Sequence, residues 1–435
     1  MKNKIKAIVI FFVLSLIILN TKIGAQIDLN GQQYTNTSII IITNNSRFGY
    51  GFSITSYNGL IYIYYTEESS SGTDIINGVV FNGTEEMNAP LPNFNDLGEG
   101  SPALVELNNG SLMMLWAGAP PTPSNLAIMN STSNTTSISK VILLLSNLTI
   151  LLQASILNNN VWGPVINLTN NGDALSYASN GNYIYLVYEP TLSLTYNNTI
   201  LEELTLSGNV IKSLNIPGIN GIVSANNDLV IVQFLNGTIA LINMNNGNIE
   251  FVNATDIGFV GNSLYQFYNG VLTINQNLTF NLPIYEDAFP ISWNNGYVII
   301  AWRPGLLSVY YWNGTELQSI VNYTAQFTII PGATISNNDL YLAWFGLNNI
   351  STAQGSIYMA ITPLPYQVSQ LTTTTTTTTN TINNISTTST SSNSSTYSYS
   401  SIPSINTISN KSLFSSIPIW VIILVVGVVV FIILY

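Results

Sequence analysis

One pattern of polar and apolar positions returns along most of this chain. A short strand-like stretch reaches an Asn/Gly pair and resumes as an apolar run closing in an aromatic: ITSYNGLIYIYY (54–65), VELNNGSLMMLW (105–116), YASNGNYIYLVY (177–188) and VSANNDLVIVQF (223–234). It recurs as ISWNNGYVIIAW (291–302) and ISNNDLYLAWF (335–345), with a weaker copy FVGNSLYQFY (259–268). Asn-Gly and Asn-Asn favour the positive φ angles of tight hairpin turns, and period-two alternation after the turn favours a strand. Each copy therefore predicts strand, turn, strand. Recurrence at roughly 45 residues is that of four-stranded propeller blades. The expected fold is all-β, a β-propeller of six or seven four-stranded blades, with a β-sandwich array as the alternative. No helical periodicity stands out between residues 26 and 365. The apolar stretch Val141 to Leu152 reads as a hairpin split at Asn147-Leu148-Thr149, a buried helix being the other reading.

The ends follow different patterns. Lys2, Lys4 and Lys6 precede an apolar stretch from Ala7 to Leu19, and Ile23-Gly24-Ala25 offers small residues before Gln26, the order of parts in a secretory signal peptide. An uncleaved N-terminal anchor is the alternative. From Ile417 to Tyr435 no residue is charged, and such a helix is long enough to cross a hydrocarbon core of about 30 Å. Between head and span, residues 371–416 hold Thr372 to Thr379 and a Ser/Thr/Asn tract with few apolar side chains, a composition that stays extended. The expected organisation is a signal peptide (1–25), a propeller ectodomain (26–370), a stalk (371–416) and a transmembrane helix (417–435).

Composition narrows the chemistry. Charged residues are 7% of the chain, and removal of Lys2, Lys4, Lys6 and Lys22 with the signal leaves five basic residues against 20 acidic ones. Phosphate recognition needs basic stripes, so nucleic acid is excluded as a partner. A surface of amides and hydroxyls changes little when carboxylates protonate, which suits an acidic habitat; AT-rich codon usage is the alternative, although scarce Lys argues against it. Cysteine and histidine are both absent, excluding disulfides, thiolate nucleophiles, Cys/His zinc sites and Ser-His-Asp catalysis. No Asp-x-Asp-x-Asp-Gly calcium loop occurs, and no metal or cofactor is expected. Asn-x-Ser/Thr sequons are frequent; those at Asn82, Asn109, Asn236 and Asn313 fall in Asn-Gly-Ser/Thr turns and are the expected glycosylation sites.

The segment EGSPALVELNNGSLMMLW (99–116) resembles the blade phrase of sialidase-like propellers, in which a proline near a loop end precedes strand, Asn/Asp-Gly turn and a strand closing in Trp. DAFPISWNNGYVIIAW (287–302) repeats it, and VWGPVINLT (161–169) resembles the outer strand preceding such a phrase. The resemblance implies the fold. It does not extend to the activity, because those glycosidases use three arginines and this chain beyond the signal has Arg47 and Arg303, without the Ser-x-Asp-x-Gly-x-Thr-Trp box.

Hydrolysis of another glycoside would need two carboxylates. Candidates are Asp96 with Glu99, Glu286 with Asp287, and Asp173. Glu99 and Asp287 stand three residues before Pro102 and Pro290, equivalent places that could face one end of the propeller. The structural alternative is that each acid accepts hydrogen bonds from turn amides. For binding, Arg303 lies among Trp302, Trp312, Tyr310 and Tyr311, and aromatic faces stack on sugar rings and guanidinium planes. Arg303, Trp312 and Tyr310 are the candidate binding residues, whereas Trp116, Trp302 and Trp344 repeat with the blade and read as core. The order of parts resembles surface glycoproteins of thermoacidophilic archaea or their viruses. The expected function is a membrane-anchored, N-glycosylated surface protein whose head binds glycan or surface-layer protein in adhesion or envelope organisation; an extracellular glycoside-acting enzyme and a viral membrane glycoprotein are the alternatives.

Overall fold

The seven repeated phrases become seven hairpins set around a ring. The computed structural model describes residues 38–365 except 44–45, 69–73, 134–148, 170–172, 190–197, 219–220, 235–236, 324–327 and 350–353, all within one compact unit, Ala25–Tyr366. The expected signal peptide, stalk and terminal apolar run, together with Asn236 and most of the expected 141–152 hairpin, lie outside the described residues. No helix among the described residues is long and apolar enough to cross a membrane.

After β1 (Ser38–Ile41), blade 1 comprises β2 (Ser46–Tyr57), β3 (Leu60–Glu68), β4 (Asp74–Phe81) and β5 (Glu86–Asn88). Blade 2 comprises β6 (Glu99–Glu106), β7 (Leu112–Gly118), helix α1 (Pro123–Ser133), β8 (Leu151–Asn158), and a broken fourth strand, β9 (Val161–Trp162) and β10 (Ile166–Asn167), both paired with β8. Blade 3 is β11 (Asp173–Ser179), β12 (Tyr183–Glu189), β13 (Asn198–Thr205) and β14 (Val210–Pro217). Blade 4 is β15 (Ile222–Asn226), β16 (Leu229–Gln233), β17 (Ile239–Asn243) and β18 (Ile249–Val252). Blade 5 is β19 (Asp256–Val260), β20 (Ser263–Tyr268), β21 (Val271–Ile274) and β22 (Leu278–Asn281). Blade 6 is β23 (Asp287–Trp293), β24 (Gly296–Arg303), β25 (Leu306–Trp312) and β26 (Leu317–Tyr323). Blade 7 is β27 (Thr328–Ser336), β28 (Asp339–Asn349) and β29 (Gln354–Pro363).

Blade 7 takes its fourth strand from the beginning of the chain. β1 runs antiparallel to β29, from Ser38 opposite Ile361 to Ile41 opposite Tyr358. Ile42 and Thr43 extend the seam: the Ile42 N–H donates to the Ile357 carbonyl at 2.8 Å, and the Ile357 N–H donates to Thr43 Oγ1 at 3.0 Å. Without disulfides, this strand exchange and apolar packing close the ring.

The apolar packing lies between blades. One buried cluster occupies each of the seven interfaces, for example Tyr62, Tyr64, Trp116 and Trp162 between blades 1 and 2, and Trp293, Tyr323 and Trp344 between blades 6 and 7. Burying a large apolar side chain contributes about 1.5–3 kcal/mol, so each interface holds several such contributions. The second strand of a blade is covered on both faces. Ile61 to Tyr65 of β3, Leu112 to Trp116 of β7 and Val298 to Ala301 of β24 are all buried, so the expected alternation after the turn gives way to continuous burial.

The turns explain the Asn/Gly signature. Asn58 and Gly59 have φ of 51° and 75°, and Asn337 and Asn338 have 51° and 65°, a conformation that asparagine and glycine adopt most readily. The absence of helix expected from periodicity is corrected by α1. Its residues form no apolar stripe, and its start is set by capping: Pro123 occupies the first turn and Thr122 Oγ1 accepts the Asn125 N–H at 3.1 Å.

With four strands per blade, the two rims differ. Hairpin turns between first and second, and third and fourth, strands lie on one rim, here the turn rim. The first residues of the inner strands, the ends of the second strands and the passages between blades lie on the other, the connection rim.

Candidate functional site

The acids at the heads of inner strands collect on the connection rim. Glu99 begins β6, Asp173 begins β11, Asp256 begins β19 and Asp287 begins β23. Glu99 and Asp287 thus share a rim, but on blades 2 and 6 each has its own acidic neighbour. Burial, then the Asp96 charge, push the Glu99 carboxyl up to about 7, offset partly by the Asp96 backbone N–H. Burial, then the Asp256 charge and more weakly Glu286, push Asp287 up to about 7, while the Ala288 N–H, donating to Asp287 Oδ1 at 2.8 Å, works against the rise. Neither candidate carboxyl titrates against the other. They do not form a two-carboxylate centre with each other.

Around Glu99 the register of blade 2 assembles a polar face. Glu99 lies opposite Gly118, Trp116 opposite Gln153, and Gln153 opposite Asn167, so these side chains leave one face of the sheet. Asp96, in the passage from blade 1, sits over them. Gln153 Nε2 donates to Asp96 Oδ1 at 3.3 Å and to Asn167 Oδ1 at 3.0 Å. Phe94 packs edge-on against the Trp116 ring, with centroids 5.2 Å apart. Burial raises the Asp96 pKa, and the donors Gln153 and Trp116 lower it; the Trp116 N–H nevertheless lies outside hydrogen-bonding geometry with any acceptor. On the adjoining side, Thr66 Oγ1 accepts the Ser101 N–H at 2.9 Å, tying this corner to blade 1.

The second acidic pair joins blades 5 and 6. Tyr265 donates to Asp256 Oδ2 at 3.1 Å, and burial raises the Asp256 pKa against that hydrogen bond. Burial, reinforced by the Asp256 and Asp287 charges, raises Tyr265 well above the ordinary tyrosine value.

The aromatic candidates separate from the arginine. Arg303 ends β24 opposite Leu306, whereas Trp312 ends β25 opposite Tyr297, placing them at opposite rims of blade 6. At about 3.3 Å per residue, six residues of strand put them roughly 20 Å apart along the blade. Trp312 stacks on Tyr297 with centroids 5.7 Å apart and meets Phe280 edge-on at 5.9 Å, within the packing between blades 5 and 6. The Tyr310 hydroxyl is 2.6 Å from that of Tyr285, which donates to Ser308 Oγ at 2.7 Å. Arg303 Nε is buried and has no hydrogen-bond partner among the described residues. Trp116 and Trp344 are core, as read from the repeat, although they belong to second strands, and Trp302 is half-buried against the cluster between blades 6 and 7.

Two expected sequons adopt one geometry. Asn82 Oδ1 accepts the Thr84 N–H (3.0 Å), the Thr84 hydroxyl (3.1 Å) and the Glu85 N–H (2.8 Å); Asn313 Oδ1 accepts the equivalent groups of Thr315 and Glu316 at 2.9, 2.8 and 3.0 Å. Asn109 Oδ1 accepts the Ser111 N–H at 3.0 Å. All three are in exposed turns on the turn rim.

Two residues of these clusters were not singled out from sequence, Asp256 and Gln153. Asp256 precedes the weakest copy of the repeat, and the available signal was its place at the head of that copy. Gln153 is the one amide in the apolar run LLQASIL, which is itself a signal for a buried polar contact.

No protein-family model matches the chain, and no curated protein matches it in sequence. Among solved structures, the chain is similar to the β-propeller domain of the Trilobed protease from Pyrococcus furiosus, at 10% identity and a TM-score of 0.42 over 73% of this chain and 95% of that one. It is also similar to a protein of unknown function from Dyadobacter fermentans (12% identity, TM-score 0.41, 75% and 98% covered) and to BamB from Moraxella catarrhalis (10%, 0.35, 72% and 84%). The seven-bladed architecture itself rests on the strand topology.

Proposed function

We propose that the chain is a membrane-anchored, N-glycosylated surface protein whose propeller head binds a glycan or a protein of the surface layer, in adhesion or envelope organisation. The observation that carries the reading is the paired geometry of Asn82 and Asn313. In both, the side-chain oxygen is held by the sequon threonine and two backbone amides, which leaves the amide nitrogen of an exposed turn free for sugar attachment. The described chain begins and ends on the turn rim, where the Leu364 N–H donates to the Asn338 carbonyl at 2.9 Å. We assign the partner to the opposite, connection rim, where the acids at the heads of the inner strands collect.

The glycoside-acting alternative needs a carboxylate pair, and Glu99 and Asp287, on blades 2 and 6, each face a different acid, Asp96 and Asp256, rather than one another. The test is expression of the full chain in a host that performs N-glycosylation. Glycopeptides at Asn82 and Asn313, lost in Asn82→Gln and Asn313→Gln, together with sedimentation in the membrane fraction and binding on a glycan array in detergent micelles, are the expected results. Unmodified turns and a freely soluble chain would overturn the proposal. Turnover of chromogenic glycosides abolished by Glu99→Gln would favour the enzyme.

A further inference from the structure

We propose that the connection-rim corner of blade 2 binds a calcium-class divalent cation between Asp96, Glu99 and Gln153. Gln153 is only 3% exposed, and its two amide donations, to Asp96 Oδ1 and Asn167 Oδ1, fix which way the amide faces. Its Oε1 is therefore turned from those acceptors, is buried, and has no hydrogen-bond partner among the described residues. That oxygen converges with Asp96 Oδ2. A Cβ added at Gly118 would lie 2.3 Å from Gln153 Oε1 and 2.5 Å from Asp96 Oδ2, so the absence of a side chain there lets these two acceptor oxygens come together against the glycine backbone. Glu99 stands opposite Gly118 in the β6–β7 register and projects from the same face.

Two carboxylates and an amide oxygen drawn into one buried corner repel one another unless a proton or a cation lies with them. A hard cation answers that need, and two carboxylates neutralise its charge. Oxygen-only donors of mixed carboxylate and amide type, completed by water, suit Ca²⁺ at about 2.3–2.6 Å; Mg²⁺ demands near-ideal octahedral geometry and gives up water reluctantly. With cysteine and histidine absent from the chain, softer transition metals have no preferred ligands. These ligands come from an inter-blade passage, the head of β6 and the middle of β8, so no contiguous calcium loop marks them in the sequence. The proposal does not depend on the surface-protein reading.

Trp116, fully buried on the same sheet face and directed at Asp96, supplies a spectroscopic antenna. The full chain in detergent micelles at neutral pH is titrated with Tb³⁺ while tryptophan is excited. Saturable sensitised emission, displaced by Ca²⁺ at lower concentration than by Mg²⁺, is expected. Affinity should fall roughly tenfold or more in Gly118→Ala, whose methyl would displace both oxygens, and in the near-isosteric Asp96→Asn, while Gln153→Glu, which keeps an oxygen there, retains binding. Circular dichroism without metal confirms that each variant is folded, and Asp96→Asn carries the test if Gly118→Ala is not. No sensitised emission, emission not displaced by Ca²⁺, or undiminished affinity in the folded variants would overturn the proposal.

Discussion

Replacing Asp287 by asparagine should change how stability depends on pH. The Asp287 carboxyl rises from an ordinary 3.8 to about 7 because the native fold buries it, with the nearby Asp256 charge adding to the rise. A group whose folded-state pKa is raised contributes stability that is fully present below its unfolded value and is lost as pH climbs through its folded value. Over the window from about pH 4 to 7 the native state holds a proton that the unfolded chain releases, and stability falls by about 1.4 kcal/mol per pH unit for this group. The full span of about three units corresponds to a ceiling on the order of 4 kcal/mol. Entropy scaled over the head makes that roughly 6 °C in Tm.

Asparagine keeps an oxygen able to accept the Ala288 N–H but has no charge to bury. Near pH 4 the variant should match the parent chain, and near pH 8 it should melt higher, by up to the ceiling. The neighbours facing Asp287 are Asp256, Glu286 and the Tyr265 hydroxyl, and loss of the Asp287 charge also relieves Asp256. Glu99, likewise raised to about 7, acts in the same direction, as do Asp96 and Asp256, so a smaller slope remains in the variant and adding Glu99→Gln reduces it further. Thermal melts of the full chain from about pH 4 to 8 measure this directly. A parent protein that grows more stable with rising pH, or a variant curve parallel to the parent throughout, would refute the reasoning.

Three further outcomes test packing. Gly296→Ala should cost about 3 kcal/mol in a denaturant titration, since its Cβ would fall on the Trp312 backbone carbonyl; Gly237→Ala, with open space but a φ of 81°, should cost about 1–2 kcal/mol. Tyr64 and Trp162 both donate to the Pro90 carbonyl, at 2.6 and 2.8 Å, and Trp162 Nε1 also donates to the Tyr64 hydroxyl at 3.1 Å, so Tyr64→Phe should cost about 1 kcal/mol and Tyr64→Phe with Trp162→Phe should be non-additive in a double-mutant cycle. Thr122→Ala should raise amide exchange across Pro123–Ser133 by removing a cap worth about 1 kcal/mol, leaving the blades unchanged.

The part of the fold legible in the sequence is the part where the backbone itself selects residues. Positive φ at Asn58, Gly59, Asn337 and Asn338 demands asparagine or glycine, and the doubly covered strands that follow demand apolar side chains, so the inner hairpin of every blade left a recognisable phrase. Outer strands leave less. Val210 and Ile211 of β14 are exposed, and β9 and β10 are two residues each, too short to impose a period. Helix α1 was missed because Thr122 and Pro123 start it without an amphipathic stripe to mark it. In the candidate site, proline spacing singled out Glu99 and Asp287, which both head inner strands, and chain proximity paired Asp96 with Glu99, but Asp256 and Gln153 reach these acids only through blade contact and register.

Register also accounts for the division of chemistry between rims. An antiparallel blade of four strands turns twice on one side, and tight turns require asparagine and glycine, so the Asn-Gly sequons at Asn82, Asn109 and Asn313 stand there. The opposite rim is where the chain passes between blades and where an inner strand begins, half-covered by its neighbours. Carboxylates placed there are buried enough to hold protons near neutrality, as at Glu99 and Asp287, yet lie at the edge of the ring. A partner recognised through the acidic rim would meet carboxyl groups whose charge changes near neutrality.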